Sequence, residues 1–194
     1  MTAKNNIGVA MAGGNGDYEP NGHYPTPHLA TEALVQAFMK RLPRRVWEPA
    51  CGGGHMAEVL KAWDLDVLAT DLYDYGYGIP QWDFLTGAVP RGVKAIITNP
   101  PFMLAEAFIR RADELRVPFF AFLLKANYFN VAGRIGLFKE IPPSHVMPLT
   151  WRLDFTGKGA PTMDCSWYVW DPEARGTVFK PLKKPWISMG PPAL

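Results

Sequence analysis

The chain of 194 residues has few cysteines, no long apolar run and little net charge. Its two cysteines, Cys51 and Cys165, form no CxxC pair and no Cys/His cluster with zinc spacing, so we predict reduced thiols and no metal. No apolar stretch reaches about 18 residues, which predicts no membrane-spanning helix. The start of the chain lacks the basic and apolar regions of a signal peptide. We therefore expect a cytoplasmic protein without a membrane partner.

Charge of one sign is also scarce, since the net charge is +2 and charged residues make up 20% of the chain. Such a balance does not identify a nucleic-acid-binding protein by itself. Basic residues do cluster at 40–45, 110–116 and 180–184. A solvated face explains each cluster unless another feature of the chain points to a polyanion.

With 48% hydrophobic residues, the chain can bury one core, and we predict one domain over 23–170. A Gly- and Asn-rich segment over 1–22 precedes it, and a Pro- and Lys-rich tail over 171–194 follows it. Apolar spacing predicts strands at 45–50, 66–71, 82–84, 94–98, 118–124, 145–150 and 164–170, and helices at 26–41, 56–63, 104–112 and 130–139. Thr26 is the expected N-cap of the first helix, with Pro27 at its first position. A strand, glycine loop, helix and strand in this order imply a parallel sheet, and the late strands predict an antiparallel edge.

The glycine loop Gly52-Gly53-Gly54-His55-Met56-Ala57 fits the pattern G-x-G-x-x-G/A directly after a predicted strand. Asp71 lies 19 residues beyond Gly52, where a carboxylate can accept hydrogen bonds from both ribose hydroxyls. The two features predict a nucleoside-bearing cofactor, either a dinucleotide or S-adenosylmethionine. Glu48 and Pro49 favour S-adenosylmethionine, because a carboxylate here can order the loop or face an ammonium group and is unfavourable beside a pyrophosphate.

Asp83 and Phe84 follow the third, short predicted strand and can complete this site. Asp83 can accept a hydrogen bond from the exocyclic amine of an adenine, while Phe84 covers the ring. A carboxylate that caps the strand end, beside a core aromatic, is the alternative interpretation of the pair.

The run Asn99-Pro100-Pro101-Phe102 directly follows an apolar strand. The two prolines end that strand abruptly, because proline has no N–H and a fixed φ. Asn99 is thereby placed at the carboxyl end of a strand, where open α/β sheets bind ligands. An amide acceptor on Asn99, a rigid Pro-Pro corner and an aromatic face can together hold a planar amine. Phe102 can stack on the ring that carries the amine.

In combination and order, these motifs resemble those of amino-methylating DNA methyltransferases. The matching segments are Tyr24-Pro25-Thr26-Pro27, Glu48-Pro49-Ala50-Cys51-Gly52-Gly53-Gly54, Asp71, Asp83-Phe84 and Asn99-Pro100-Pro101-Phe102. The chain is similar to small bacteriophage-type DNA adenine-N6 methyltransferases over roughly residues 22–170. The resemblance implies a Rossmann-like class I methyltransferase fold, an α/β architecture with a mostly parallel twisted sheet, an antiparallel edge strand and helices on both faces.

The resemblance also implies a cofactor, a substrate and a set of site residues. It implies S-adenosylmethionine bound by Tyr24, Thr26, Glu48, Ala50, Cys51, Gly52, Gly54, Asp71, Leu72, Asp83, Phe84 and Asn99. It implies catalysis by Asn99, Pro100, Pro101 and Phe102, with no metal and no nucleophilic role for Cys51. The implied acceptor is an adenine flipped out of double-stranded DNA in a bacterial or phage-infected cell, since Asn at the first motif position resembles adenine-N6 more than cytosine-N4 enzymes. A monomer and a homodimer both remain open.

The chain departs from restriction-type enzymes of this kind in having only 92 residues after Phe102. Base recognition is therefore expected from loops 72–82, 126–134 and 151–163, with a short or relaxed target sequence or a partner that supplies specificity. In the last loop, Trp151 or Phe155 can close the other side of the flipped base or pack in the core.

Three other interpretations of the motifs stay open. An RNA base or a protein glutamine amide suits the same amine grip. An inactive DNA-binding accessory subunit is a second alternative, although the intact motifs argue against it. A nicotinamide-dependent dehydrogenase fits the glycine loop but leaves Asn99 to Phe102 unexplained.

Overall fold

The computed structural model describes residues 24–186, so the predictions for 1–22 and for the end of the tail lie outside the described residues. Within this range the chain forms seven strands and four α-helices. The strands are β1 (Arg45–Glu48), β2 (Asp66–Ala69), β3 (Ala95–Thr98), β4 (Phe119–Lys125), β5 (His145–Pro148), β6 (Cys165–Trp170) and β7 (Val178–Phe179). The helices are α1 (His28–Phe38), α2 (His55–Ala62), α3 (Ala105–Glu114) and α4 (Ile135–Glu140), with 3₁₀ turns at Phe102–Leu104 and Ala132–Arg134. No helix in residues 24–186 has the length and apolar character that crossing a membrane requires.

All seven strands join one sheet in the order β2-β1-β3-β4-β6-β5-β7. Strands β1 to β4 are parallel, and β6 runs antiparallel to both of its neighbours, β4 and β5. The antiparallel strand therefore lies inside the sheet and not at its edge as predicted, because β5 and β7 continue the sheet beyond it. The carboxyl ends of β1 to β5 and the amino end of β6 all meet at one end of the sheet, which we call the carboxyl end.

Strand β4 shows how the sheet is covered on both faces. Phe119, Ala121 and Leu123 point into a core with α1 and α2. The alternate residues, from Phe120 to Leu124, point into a second core with α3. A strand buried on both faces must be apolar throughout, which explains the continuous apolar run in the sequence and confirms the predicted helices on both faces.

Two predicted helices have different bounds in the structure. Pro27, not Thr26, occupies the N-cap of α1, and no side chain caps the helix. The Thr26 hydroxyl is engaged elsewhere, as described below. The helix ends at Phe38 and not near Arg41, because the Arg41 N–H closes a tight turn onto the Phe38 carbonyl. The helix predicted at 130–139 is a 3₁₀ turn followed by α4.

Between β2 and β3 the chain makes turns and no helix, as expected. The strand predicted at 82–84 is wrong, because Asp83 closes a turn in which the Leu85 N–H and the Thr86 hydroxyl donate to its carboxylate at 2.9 and 2.8 Å. Before this turn, the loop runs along the outer side of β2, where Ile79 forms a single parallel bridge to Thr70.

Part of the predicted C-terminal tail belongs to the sheet. Strand β7 pairs in parallel with β5, and the N–H groups of Val178, Lys180 and Leu182 donate to carbonyls of residues 144, 146 and 148. Leu182 is only 6% exposed and packs in the core with α1 and α2. The sheet therefore extends past residue 170, where sequence patterns predicted that the domain ends.

Candidate active site

The glycine loop and Asp71 meet at the carboxyl ends of β1 and β2. Gly52 and Gly54 have φ angles of +50° and +83°, a conformation that residues with a side chain rarely adopt. The Gly52 N–H donates to Asp71 Oδ2 at 2.8 Å, and the Tyr73 N–H donates to Asp71 Oδ1 at 3.0 Å. The carboxylate, 7% exposed, thus ties the loop to the end of the neighbouring strand.

Tyr77, in the loop 72–82 that was predicted for base recognition, packs on the glycine loop and was not among the predicted cofactor-binding residues. A Cβ atom on Gly54 would lie 2.5 Å from the Tyr77 ring, so the ring rests directly on the glycine. The Tyr77 hydroxyl donates to Glu58 at 2.5 Å and accepts from Lys61 Nζ at 2.6 Å, which holds it on α2. The Tyr- and Gly-rich composition of 72–90 was the only sequence signal for this contact.

Glu48 is a buried carboxylate with one unpaired oxygen. The side chain is 2% exposed, and a backbone hydrogen bond from Ala57, in the first turn of α2, connects it to the glycine loop. Its Oε2 has no hydrogen-bond partner among the described residues. Burial, and then the negative charge of Asp71, raise the pKa of Glu48 well above its usual range. Glu48 can therefore order the loop and still accept a hydrogen bond from a cationic group, which would favour its ionised form.

Cys51 is buried in the same loop, at 5% exposure. Burial, followed by the negative charge of Glu48, raises the pKa of its thiol to about 12. The thiolate needed for nucleophilic attack is therefore disfavoured at neutral pH.

The corner after β3 holds a buried amide oxygen that has no partner among residues 24–186. Asn99 Nδ2 donates to the hydroxyl of Thr26 at 3.2 Å, a contact between residues 73 positions apart. Asn99 Oδ1, in contrast, has no hydrogen-bond partner within residues 24–186. Thr26, which is 7% exposed, thus fixes which way the amide faces, while the amide oxygen stays buried and unpaired among the described residues. Sequence reasoning had assigned Thr26 to the helix cap and to the cofactor, and it missed this contact.

Phe102 follows the two prolines and lies beside Lys125, the last residue of β4. Lys125 Nζ is 5.6 Å from the centroid of the Phe102 ring. Phe102 is half-buried. Lys125 was not among the predicted site residues; its only signal was a charge at the end of an apolar strand.

The remaining predicted residues differ in how open they are. Phe84 is 2% exposed and packs on Trp47 and Phe108, with ring centroids 5.2 and 4.6 Å away. With Asp83 closing a turn, this arrangement matches the alternative interpretation of the pair, a capping carboxylate and a core aromatic. Leu72 is 48% exposed at the carboxyl end of the sheet, next to Asp71.

Four further predicted residues complete the description. Tyr24 and Ala50 are partly buried. Trp151 and Phe155 pack against the core with α1 and α2. No group of three or more His, Cys, Asp and Glu side chains in the described part of the chain is placed to hold a metal ion.

No protein-family model and no curated protein matches the chain. Solved structures do, and one is the methyltransferase subunit of a type I restriction-modification system from Streptococcus thermophilus, with a TM-score of 0.62, 13% identity, and coverage of 84% of this chain and 48% of that chain. A protein from Listeria monocytogenes assigned as a class I S-adenosylmethionine-dependent methyltransferase has a TM-score of 0.60 and 15% identity, over 84% of this chain and 67% of that chain. A protein from Pyrococcus horikoshii assigned as an RNA methyltransferase has a TM-score of 0.59 and 14% identity, over 79% of this chain and 89% of that chain. The chain has the class I methyltransferase fold.

The chain spans about half the length of the Streptococcus subunit. Within the methyltransferase fold, Glu48 ends β1, while Asp71 and Asn99 follow β2 and β3, and because these three strands are neighbours in the sheet the three residues lie at its carboxyl end. This is the end at which open α/β sheets bind their ligands. The motifs that were separate in the sequence thus form one candidate site.

Proposed function

We propose that the chain is an S-adenosylmethionine-dependent methyltransferase that modifies the N6 amine of adenine in DNA, acting on a base flipped out of the duplex. The observation that carries this proposal is the unpaired Oδ1 of Asn99, oriented by Thr26 at the corner before Phe102. A buried acceptor without a partner is costly, and a ligand that donates a hydrogen bond to it recovers that cost.

The residues around the glycine loop fit S-adenosylmethionine. The unpaired Oε2 of Glu48 is suited to the cofactor's ammonium group, because that oxygen is buried and its ionised form needs a cation. Both oxygens of Asp71 already accept a backbone N–H, and each keeps a second lone pair for a ribose hydroxyl. Tyr24 is assigned to the methionine part and Leu72 to the adenine ring. A pyrophosphate would meet two carboxylates here, which disfavours a dinucleotide.

The acceptor amine is held by the corner after β3. The N6 lone pair of adenine is delocalised into the ring, which makes it a poor nucleophile. Asn99 Oδ1 and the Pro100 carbonyl each accept one amine hydrogen, which turns the nitrogen toward a tetrahedral shape and frees the lone pair. When bound, S-adenosylmethionine supplies a methyl group on a sulfonium sulfur, and this sulfur keeps the bonding electrons on transfer. The surplus amine proton then leaves to water, so no metal or nucleophilic side chain is required.

Base recognition is assigned to loops at the carboxyl end of the sheet. Loop 151–163 connects β5 to β6 there, and a network around Asp154 holds its tip. The Thr156, Gly157 and Gly159 N–H groups donate to the Asp154 carboxylate at 2.9, 3.0 and 2.7 Å. With loops as the readers, the target sequence is short or relaxed, or a partner supplies specificity.

A methyl-transfer assay tests the proposed function. The full chain is incubated with labelled S-adenosylmethionine and unmodified duplex DNA, RNA or a mixture of proteins, and the nucleosides are then identified by mass spectrometry. We expect N6-methyladenine from the DNA sample. Label found only in RNA or in protein would show that the acceptor is not DNA. No transfer to any sample would support an inactive accessory subunit.

A further inference from the structure

The ammonium group of Lys125 stands beside the proposed base-stacking ring. In the register of β3 and β4, Thr98 lies opposite Phe122, so Lys125, three residues further along, lies beside the corner formed by residues 99–102. All six residues of β4 before Lys125 are buried, whereas Lys125 itself is half-buried. Its Nζ lies 5.6 Å from the centroid of the Phe102 ring.

Lys125 has no carboxylate partner among the residues that the structure describes. The nearby acid, Asp164, precedes the residue that pairs with Lys125 in the sheet, and it is bound by Arg152 at 3.1 Å. A distance of 5.6 Å is close to the outer limit of about 6 Å for a cation–π contact. The contact with the Phe102 ring is therefore weak, and an anion can replace it as the partner of the Lys125 ammonium.

We propose that Lys125 binds a phosphate of the DNA strand that carries the acceptor base. This inference rests on the proposed function, in which the base stacks on Phe102. A base on that ring brings its own sugar and phosphate to the rim of the site, where the Lys125 ammonium is placed. The contact selects a polyanionic substrate over a protein amide, which presents no phosphate to a lysine at this position.

The test compares Lys125→Met with Lys125→Arg, and uses Lys94→Met as a matched control. Lys94 is an exposed lysine next to the first residue of β3, at the opposite end of the sheet. Binding of a fluorescent DNA duplex is measured by anisotropy over a series of salt concentrations, with sinefungin in place of the cofactor. Steady-state kinetics with the same duplex provide KM and kcat.

The slope of the logarithm of the DNA-binding constant against log salt is negative, and loss of one phosphate contact reduces its magnitude by about 1. We expect that decrease for Lys125→Met, together with a several-fold higher KM for DNA and a kcat within about two-fold of wild type. Lys125→Arg keeps the wild-type slope because it keeps the charge, and Lys94→Met behaves as wild type. If Lys125→Met does not fold, Lys125→Gln takes its place.

An unchanged slope for the neutral variant would overturn the inference, even where the wild-type protein methylates DNA adenine normally. A lower kcat with unchanged slope and KM would also overturn it, because it would make Lys125 a support for Phe102 only. If the wild-type protein transfers no methyl group to DNA, the proposed function fails instead.

Discussion

Replacement of Asn99 by alanine is the perturbation that bears most directly on the candidate active site. Alanine removes the unpaired Oδ1 acceptor and also the 3.2 Å hydrogen bond from Nδ2 to Thr26. It leaves the glycine loop, Glu48 and Asp71 untouched, since these lie at the ends of β1 and β2 and not of β3. Methyl transfer should therefore be impaired while cofactor binding persists.

The expected magnitude follows from the two lost interactions. Removal of one preorganised polar group that acts on developing charge lowers kcat by about 10²–10³, so we expect a decrease of at least about 100-fold. The bond to Thr26 contributes about 1 kcal/mol to the free energy of unfolding, which shifts the Tm of a chain of this size by about 2–4 °C. The variant should thus fold and bind cofactor with nearly the wild-type Kd.

Single-turnover methylation and isothermal calorimetry with S-adenosylmethionine separate the two effects. Thr98→Val is the matched control, because Thr98 is fully buried one residue earlier and its hydroxyl has no partner among the described residues. Valine keeps the shape and removes the unpaired group, so activity should be unchanged and Tm equal or higher. A kcat for Asn99→Ala within about three-fold of wild type would refute the role assigned to Oδ1.

Three further predictions concern the residues around the site. Thr26→Val frees the Asn99 amide to turn and should lower kcat by about five-fold, the equivalent of a hydrogen bond of about 1 kcal/mol; Thr26→Ser should restore it in the same steady-state assay. Because the raised pKa of Glu48 lets the folded chain keep a proton that the unfolded chain loses above about pH 4, stability is lost as pH rises. Melting curves of ligand-free Glu48→Gln from pH 4 to 8 should show a Tm advantage that grows with pH, while calorimetry shows about ten-fold weaker cofactor binding; a constant Tm difference would argue against a buried neutral carboxyl. Gly54→Ala should lower the free energy of unfolding by at least about 1–2 kcal/mol, because it forces a side chain into a positive φ and against Tyr77. In a double-mutant cycle measured by denaturant unfolding, Gly54→Ala should cost less free energy of unfolding when Tyr77 is already replaced by alanine. If the two free-energy changes simply add, the Tyr77 ring is not involved.

The fold was predictable where the signals are local. The glycine loop between β1 and α2 needs positive φ angles at Gly52 and Gly54, and the glycine pattern in the sequence predicts such a loop. Strand β4 is specified by its continuous apolar run, and the end of β3 by the two prolines after Asn99. These features correctly predicted that the motifs lie at the carboxyl end of the sheet.

The contacts that complete the site were not predictable, because they join distant parts of the chain. The bond from Asn99 to Thr26 spans 73 residues. The contact between Lys125 and Phe102 depends on the register of β3 and β4, and Tyr77 reaches the glycine loop only because its segment runs along β2. At residues 82–84, an alternation typical of a strand was overridden when the Asp83 carboxylate closed a turn.

The arrangement of β7 has a consequence for how the protein behaves at high concentration. The backbone N–H groups of Val178, Lys180 and Leu182 point toward β5. The backbone positions between them, Phe179 and Pro181, are therefore the ones that could donate outward, away from the sheet. Proline carries no N–H, and the strand is two residues long, so this border offers too few donors to template another chain. At the opposite border, Ile79 occupies the Ala69 carbonyl of β2. The β7 border is therefore a poor template for pairing with the strand of another chain.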